Sequence, residues 1–237
     1  MIYEMPLDLL ILGDSHIPDR QHGLPEKLRK KINNLRKTLS ENRFDFIFFT
    51  GDFTDSPKFY RFLIKQVNKD LQDIYAVMGN MDYYHKARGN ISEIKRKEKI
   101  SKSLHLNGHK IRIGMIHGHQ IKPRGDEEKL TQKANQMRVD ILLSGHTHAS
   151  AYNLTKSSVL LLNPGSATGA WSFLADKTPS FMHLRLEGGD NSAKNALSSE
   201  DGILISLNLY CLIGHEQLSE KRLRYKKIEE KMCRIGR

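Results

Sequence analysis

Three short apolar runs alternate with two amphipathic segments early in the chain, and this alternation limits the fold more than any other feature. The apolar runs cover residues 8–12, 44–50 and 74–78, and each is too short for a typical helix. The segment 25–42 carries leucine and isoleucine at helical spacing, and 56–70 begins with a serine and a proline, as helices commonly do. This order predicts parallel βαβ units, with helices packed on a sheet.

The second half of the chain has the pattern of shorter strands joined by tight turns. Asn107-Gly108 is a strong signal for a hairpin turn, and the residues after it predict a further helix over 127–137. Strands are predicted over residues 140–144, 150–163, 180–186 and 203–213, with a polar loop at 187–202. We interpret residues 1–225 as a single domain and residues 226–237 as a basic C-terminal tail.

Five of the predicted strands end in side chains that bind metals, and in four of them a glycine comes first. These residues are, in order along the chain, Asp14 and His16, then Asp52, Asn80, His117 with His119, and His146 with His148. Ligands of open α/β sheets bind beyond the carboxyl ends of the strands. We therefore expect all but His119 of these side chains to meet at one edge of the sheet.

A mixture of carboxylate, imidazole and amide oxygen suits divalent manganese, zinc or iron, and it lacks the thiolates of a structural zinc site. Seven ligands are more than one tetrahedral ion needs, which suggests two ions that share a carboxylate. Each motif alone has a simpler interpretation, such as a turn or a hydrogen-bonded buried histidine. Five of them in one chain, each closing an apolar strand, favour the metal site.

From Asp14 to His148 the motif order Asp-x-His, Gly-Asp, Gly-Asn, His, Gly-His-x-His resembles the calcineurin-like metallophosphoesterases. The resemblance implies an α/β fold, a two-sheet β-sandwich flanked by helices. It also implies two metal sites that share Asp52. One site would use Asp14, His16, Asp52 and His148, and the other would use Asp52, Asn80, His117 and His146. The resemblance further implies a phosphoesterase with two divalent cations, Mn²⁺ before Zn²⁺, Fe²⁺ or Ni²⁺, and with Asn80, His117 and His119 as catalytic residues.

Four further segments resemble the small single-domain branch of this family: 117–126, 140–148, 162–170 and 179–181. That branch includes archaeal and bacterial phosphodiesterases and the retromer subunit vacuolar protein sorting protein twenty-nine. The resemblance implies a phosphodiesterase, or alternatively a non-catalytic scaffold that binds a protein partner. The eukaryotic retromer subunit departs from the enzyme pattern in the second and third motifs, whereas this chain keeps both, so the enzyme is favoured.

Two local features leave alternatives open. Many larger family members carry a histidine after Gly-Asn that protonates the leaving group, but this chain has Met81 there. His119 or Asp82 are the candidates to replace it, and an acid of this kind commonly contributes about 10²–10⁴-fold to the rate. The small-residue loop 163–170 is either a source of backbone N–H groups for phosphate or a tight structural turn.

The composition of the chain limits the classes of binding partner and the cellular compartment that we expect for it. The formal net charge of +11 attracts phosphates, nucleic acid and anionic surfaces. The basic runs do not show the interleaved aromatic pattern used for stacking bases, so nucleic-acid processing is the less favoured alternative to a small phosphate-ester substrate. Two cysteines form no disulfide framework, and no apolar stretch is long enough for a signal peptide or a membrane span. We therefore expect a cytoplasmic protein that is not inserted in a membrane.

Overall fold

The computed structural model describes residues 2–16, 24–52, 74–84, 98–189, 202–214 and 217–235. Within them the helices are α1 Glu26–Thr38, α2 Asn80–Tyr84 and α3 Glu127–Met137, and a 3₁₀ turn spans Ser40–Asn42. The strands are β1 Ile2–Tyr3, β2 Leu7–Leu12, β3 Phe46–Phe49, β4 Ile74–Ala76, β5 Lys99–Leu106, β6 His109–Ile116, β7 Ile141–Leu143, β8 Ser150–Leu154, β9 Leu160–Pro164, β10 Ser180–Gly188, β11 Ile203–Ile213, β12 Gln217–Ile228 and β13 Lys231–Arg234.

The strands form two mixed sheets. The first sheet has the order β1-β5-β6-β7-β9-β8, and the second has the order β13-β12-β11-β10-β2-β3-β4. Strands β2, β3 and β4 are parallel neighbours, as the alternating pattern predicts. Strands β6, β7 and β9 form a second parallel set. The predicted hairpin at Asn107-Gly108 is confirmed by the antiparallel pairing of β5 with β6.

Apolar side chains fill three layers that hold the sheets and helices together. The largest cluster lies between the two sheets, with Phe48 from the second sheet and Ile113 from the first among its buried members. A second cluster packs α1 on the outer face of the second sheet through Leu28 and Ile32. A third packs α3 on the outer face of the first sheet through Leu130. The predicted two-sheet sandwich flanked by helices is confirmed.

The predicted basic tail after Tyr225 is wrong for the residues that the structure describes. Strand β12 continues to Ile228, and β13 pairs with it in antiparallel register. On β12, Leu223, Tyr225 and Lys227 are all buried, while most of the basic residues between them face outward. Because the charged face dominates the composition, the period-two pattern of a half-buried strand was hidden. The interpretation of residues 1–225 as one domain remains a prediction.

Three sequence features fall partly or wholly outside the described residues. The helix predicted over 56–70 lies outside them, as do residues 85–97 of the basic segment and residues 190–201 of the predicted polar loop. The ends of that loop are described, and Gly188 pairs with Ile203 at the start of an antiparallel hairpin. No helix in the described part of the chain is long and apolar enough to cross a membrane.

Candidate metal centre

The seven predicted metal ligands lie at one edge of the sandwich, beyond the carboxyl ends of parallel strands from both sheets. Asp14 and His16 follow β2, Asp52 follows β3, and Asn80 begins α2 after β4. His117 follows β6 directly, and His146 and His148 follow β7. The apolar residues of these strands are buried alternately between the sheets and under the flanking helices, and the parallel register brings neighbouring strands to an end at the same level. The strands thus deliver the polar residues to a shared site.

Four of these residues form one compact cluster. Single ligand atoms of Asp14, His16, Asp52 and His148 all lie within 4.8 Å of one another. The Nε2 atoms of His16 and His148 are 3.1 Å apart. The Nε2 atom of His16 lies 3.4 Å from Oδ2 of Asp52, and Nε2 of His148 lies 3.5 Å from Oδ1 of Asp14. This spacing lets all four contact one cation.

The remaining predicted ligands lie next to this cluster. The Nε2 atom of His117 lies 3.1 Å from Oδ1 of Asn80 and 3.4 Å from Oδ2 of Asp52. The imidazole ring of His146 stands 5.0 Å from that of His117, measured between centroids. Asp52 therefore contacts His16 of the cluster and His117 beside it, while the division into two ligand sets stays a prediction.

Hydrogen bonds to backbone carbonyls orient two of the histidines. The Nδ1 atom of His117 lies 2.8 Å from the Thr50 carbonyl oxygen, and Nδ1 of His148 lies 3.0 Å from that of Ala170. A carbonyl only accepts, so each Nδ1 carries a proton, and each Nε2 presents a lone pair when its imidazole is neutral. Partners of this kind commonly fix the tautomer of metal-binding histidines.

The donor set fits a divalent cation by its chemistry and its spacing. Asp14, His16, Asp52 and His148 offer two carboxylates and two imidazoles within 4.8 Å of one another. In the metal-free protein the Nε2 atoms of His16 and His148 share one hydrogen bond, and His117 interacts with Asp52 as an ion pair. A cation would replace these contacts with bonds to the same nitrogen and oxygen atoms.

The pKa values show how burial and neighbouring charges act on these groups in the absence of a cation. Burial raises the pKa of Asp14 to about 8. Burial opposes both shifts in the pair Asp52 and His117, yet their contact lowers the pKa of Asp52 to about 2 and, together with Asp14, raises that of His117 to about 9. Burial lowers the pKa of His146 to about 3 and that of His148 to about 4. A bound cation would favour ionised carboxylates and neutral imidazoles throughout.

The backbone at the site is held in an unusual conformation. Five of the seven residues, Asp14, His16, Asp52, His146 and His148, have φ between 44° and 68°. This left-handed region is uncommon for residues other than glycine and costs free energy at each position. Strain of this kind persists only where the surrounding structure enforces it, and it is concentrated at functional sites.

Two glycines give the ligands room. A Cβ atom at Gly79 would overlap the side chain and backbone of Asp52. A Cβ atom at Gly51 would lie 2.5 Å from Nδ1 of His117, and its φ of +102° also favours glycine. The glycines before the ligands are therefore needed because the backbone passes close to neighbouring ligands.

The small-residue loop 163–170 forms hydrogen bonds to the backbone of the segment that carries Asp14. The Ser166 hydroxyl donates to the Asp14 carbonyl at 2.7 Å and accepts from the Ala170 amide at 2.7 Å. The Thr168 hydroxyl donates to the Ser15 carbonyl at 2.7 Å. The amides of Ser166 and Ala167 also donate within the protein, which leaves fewer N–H groups for phosphate. These contacts favour the interpretation of the loop as a structural turn.

The candidates for a leaving-group acid have different surroundings. His119 is half-buried, its ring lies 5.5 Å from that of His117 and 6.2 Å from that of His146, and its Nδ1 has no hydrogen-bond partner among the described residues. Asp82 instead accepts a hydrogen bond from the Gly79 amide at 2.7 Å. Asp82 therefore stabilises the turn before α2, and His119 is the candidate next to the metal ligands.

Comparison with protein families gives a match over most of the chain. The model of the calcineurin-like phosphoesterase superfamily domain matches residues 7–189. A probable metallophosphoesterase of Methanocaldococcus jannaschii is 36% identical over 158 residues, which cover 67% of this chain and 67% of that protein. The range matched by the family model includes every predicted metal-binding motif, and the two matches together confirm the resemblance inferred from the motifs.

Solved structures of Vps29 share the fold. The structure of vacuolar protein sorting 29 from Cryptosporidium parvum is 25% identical, has a TM-score of 0.73, and covers 94% of this chain and 99% of its own. Vps29 from Entamoeba histolytica complexed with Zn²⁺ is 26% identical, has a TM-score of 0.65, and covers 92% of this chain and 99% of its own.

Proposed function

Because this chain belongs to the calcineurin-like phosphoesterase superfamily, we propose that it is a metal-dependent hydrolase that cleaves a phosphodiester. The observation that carries this proposal is the cluster of Asp14, His16, Asp52 and His148 beyond the ends of parallel strands, with His117 in contact with Asp52 beside it. Carboxylates and imidazoles in this arrangement suit divalent cations, and two ions at a separation of about 3.5–4 Å are the usual apparatus for phosphoryl transfer.

The proposed cofactors are two divalent cations, Mn²⁺ in the first place, with Zn²⁺, Fe²⁺ or Ni²⁺ as alternatives. Asp14, His16, Asp52 and His148 would hold one ion. Asp52, Asn80, His117 and His146 would hold the other. The nitrogen and oxygen donors suit manganese, and the Zn²⁺ complex of Entamoeba histolytica Vps29 supports zinc as an alternative. When bound, the ions supply a nucleophile at neutral pH and neutralise charge that develops on the phosphate.

The chain's own residues would position the substrate and the ligands. Thr50 and Ala170 keep the protons of His117 and His148 on Nδ1, so that both Nε2 atoms stay available. Asn80 would contribute its amide to the metal and phosphate side of the site. We propose that His119, beside His117, contacts the leaving oxygen. Burial and the charge of His117 lower the pKa of His119, so its neutral imidazole would act mainly as a hydrogen-bond donor.

The second candidate function is a non-catalytic scaffold that binds a protein partner. It is favoured by one observation, the likeness to Vps29 over 92–94% of this chain. The complete set of metal ligands, including Asp52 and Asn80, favours the enzyme instead. The two functions differ in a simple way, since only the enzyme turns over a phosphate ester.

Hydrolysis of bis-p-nitrophenyl phosphate and p-nitrophenyl phosphate with added Mn²⁺ tests the proposal. We expect metal-dependent turnover, with the diester preferred, and a loss of at least about 100-fold in Asp52→Ala and in His117→Ala. The matched control is His105→Ala, which removes an imidazole at the hairpin end of β5, away from the site end of the sheet. A folded protein that binds two ions but cleaves neither ester with any of the four metals would contradict the enzyme and favour the scaffold.

A further inference from the structure

An arginine without an acidic partner lies beside the metal centre. Arg124 makes no ion pair or hydrogen bond with any residue that the structure describes, and its guanidinium stacks on the Phe173 ring at 4.7 Å from the centroid. Glu127, which lines the same cavity of about 240 Å³, is already hydrogen-bonded to Asn153. The Arg124 guanidinium is therefore held in place by stacking while its N–H donors stay available.

Two chain segments bring this arginine to the site by packing on Thr147, the residue between His146 and His148. A Cβ atom at Gly125 would lie 2.9 Å from Cγ2 of Thr147, which shows how closely the residue after Arg124 packs there. From the other side, the Ser172 hydroxyl donates to the Thr147 carbonyl. Arg124 and Phe173 are each the sequence neighbour of a residue that packs against Thr147, which brings both to the segment between His146 and His148.

The surroundings of Arg124 combine positive charge with exposed aromatic rings. Trp171 is 60% exposed and Phe173 is 69% exposed, an unusual degree of exposure for large aromatic side chains. A planar guanidinium on a ring presents paired donors that match two oxygens of a phosphate.

We propose that Arg124 is a specificity-determining residue that binds a second, non-reacting phosphate of a nucleotide-like substrate. The base of such a substrate would stack on the exposed rings of the 171–173 segment, as bases do on aromatic side chains. This inference rests on the proposed function, because the reacting phosphate is the one at the metal centre. It predicts that the protein prefers ligands with two phosphates over otherwise identical ligands with one.

The test compares thymidine 3′,5′-bisphosphate with thymidine 5′-monophosphate by isothermal titration calorimetry on the Mn²⁺-loaded protein. We expect the bisphosphate to bind at least about tenfold more tightly, as a charge-assisted contact predicts, and Arg124→Gln to remove that preference. The matched control is Lys122→Gln, which removes an exposed positive charge two residues away and should change the preference less than about twofold. Bis-p-nitrophenyl phosphate turnover is measured on the same wild-type sample.

The outcomes separate the two proposals. Equal affinity of the wild type for both ligands, or equal losses in Arg124→Gln and Lys122→Gln, would overturn the role of Arg124. Diester turnover in that case would leave the proposed function standing. A bisphosphate preference that depends on Arg124, in a protein without turnover, would support the phosphate subsite and contradict the enzyme.

Discussion

Ser166 connects the chain segments that carry the proposed ligands Asp14 and His148, and the free energy lost by removing its hydroxyl can be calculated. Ser166 is fully buried and joins the Asp14 carbonyl to the Ala170 amide, and the Ala170 carbonyl in turn accepts from His148. Ser166→Ala leaves two buried polar groups without these partners. At about 1.5 kcal/mol for each group, the loss in the free energy of unfolding is about 3 kcal/mol. Because both ligands also lose support, we expect Mn²⁺ affinity to fall about 10–100-fold.

The control is Ser180→Ala, a serine that is 1% exposed and donates to Pro164 in the same loop. It breaks one side-chain bond and touches no metal ligand, so we expect a loss of about 1.5 kcal/mol and unchanged Mn²⁺ affinity. Stability is measured by urea unfolding of metal-free protein, and affinity by Mn²⁺ titration. Wild-type affinity in Ser166→Ala, or an equal loss of affinity in Ser180→Ala, would refute the supporting role of the loop.

Two further substitutions test the ion network and the glycine spacing. Asp140→Asn is expected to lower the free energy of unfolding by about 3 kcal/mol, because the buried Lys227 lies 3.8 Å from that carboxylate and loses its counter-charge. Glu230→Gln, at a side chain that is 78% exposed, should cost less than about 1 kcal/mol, and equal costs in urea unfolding would contradict this assignment. Gly79→Ala should weaken Mn²⁺ binding at least about tenfold, because a methyl group there overlaps Asp52, whereas Gly214→Ala meets no atom within 4 Å and should bind as the wild type. Equal Mn²⁺ affinity in the two glycine variants would refute the steric argument.

The positions of the proposed metal ligands were predictable because the signals that place them are local. An apolar strand, a glycine and a polar side chain occur within a few residues, as at Gly13-Asp14 and Gly51-Asp52. Parallel strands place such ends at the same edge of a sheet, so the prediction that they meet needs no knowledge of long-range contacts. The ligand sets around each ion needed the family resemblance, since spacing alone does not say which histidine faces which carboxylate.

The supporting contacts were not predictable, because they join residues that are far apart in the sequence. The Thr50 carbonyl meets His117, and Ser166 meets Asp14, across 67 and 152 residues. A backbone carbonyl carries no residue-specific signal, and the loop 163–170 suggested phosphate binding as readily as a turn. The basic residues of β12 led to the wrong prediction of a tail for a related reason. They lie mainly on the exposed face of the strand, and their charge dominates the composition, so the alternating buried positions on the other face were not recognised.

Titration of the metal-free protein with Mn²⁺, followed by electron paramagnetic resonance, tests the central claim most directly. We predict two ions per chain, magnetically coupled through Asp52, as expected for ions about 3.5–4 Å apart with a shared carboxylate. In Asp52→Asn the coupled signal should disappear. A single uncoupled Mn²⁺ per chain at saturation, or a coupled pair that survives in Asp52→Asn, would contradict a two-metal centre bridged by Asp52.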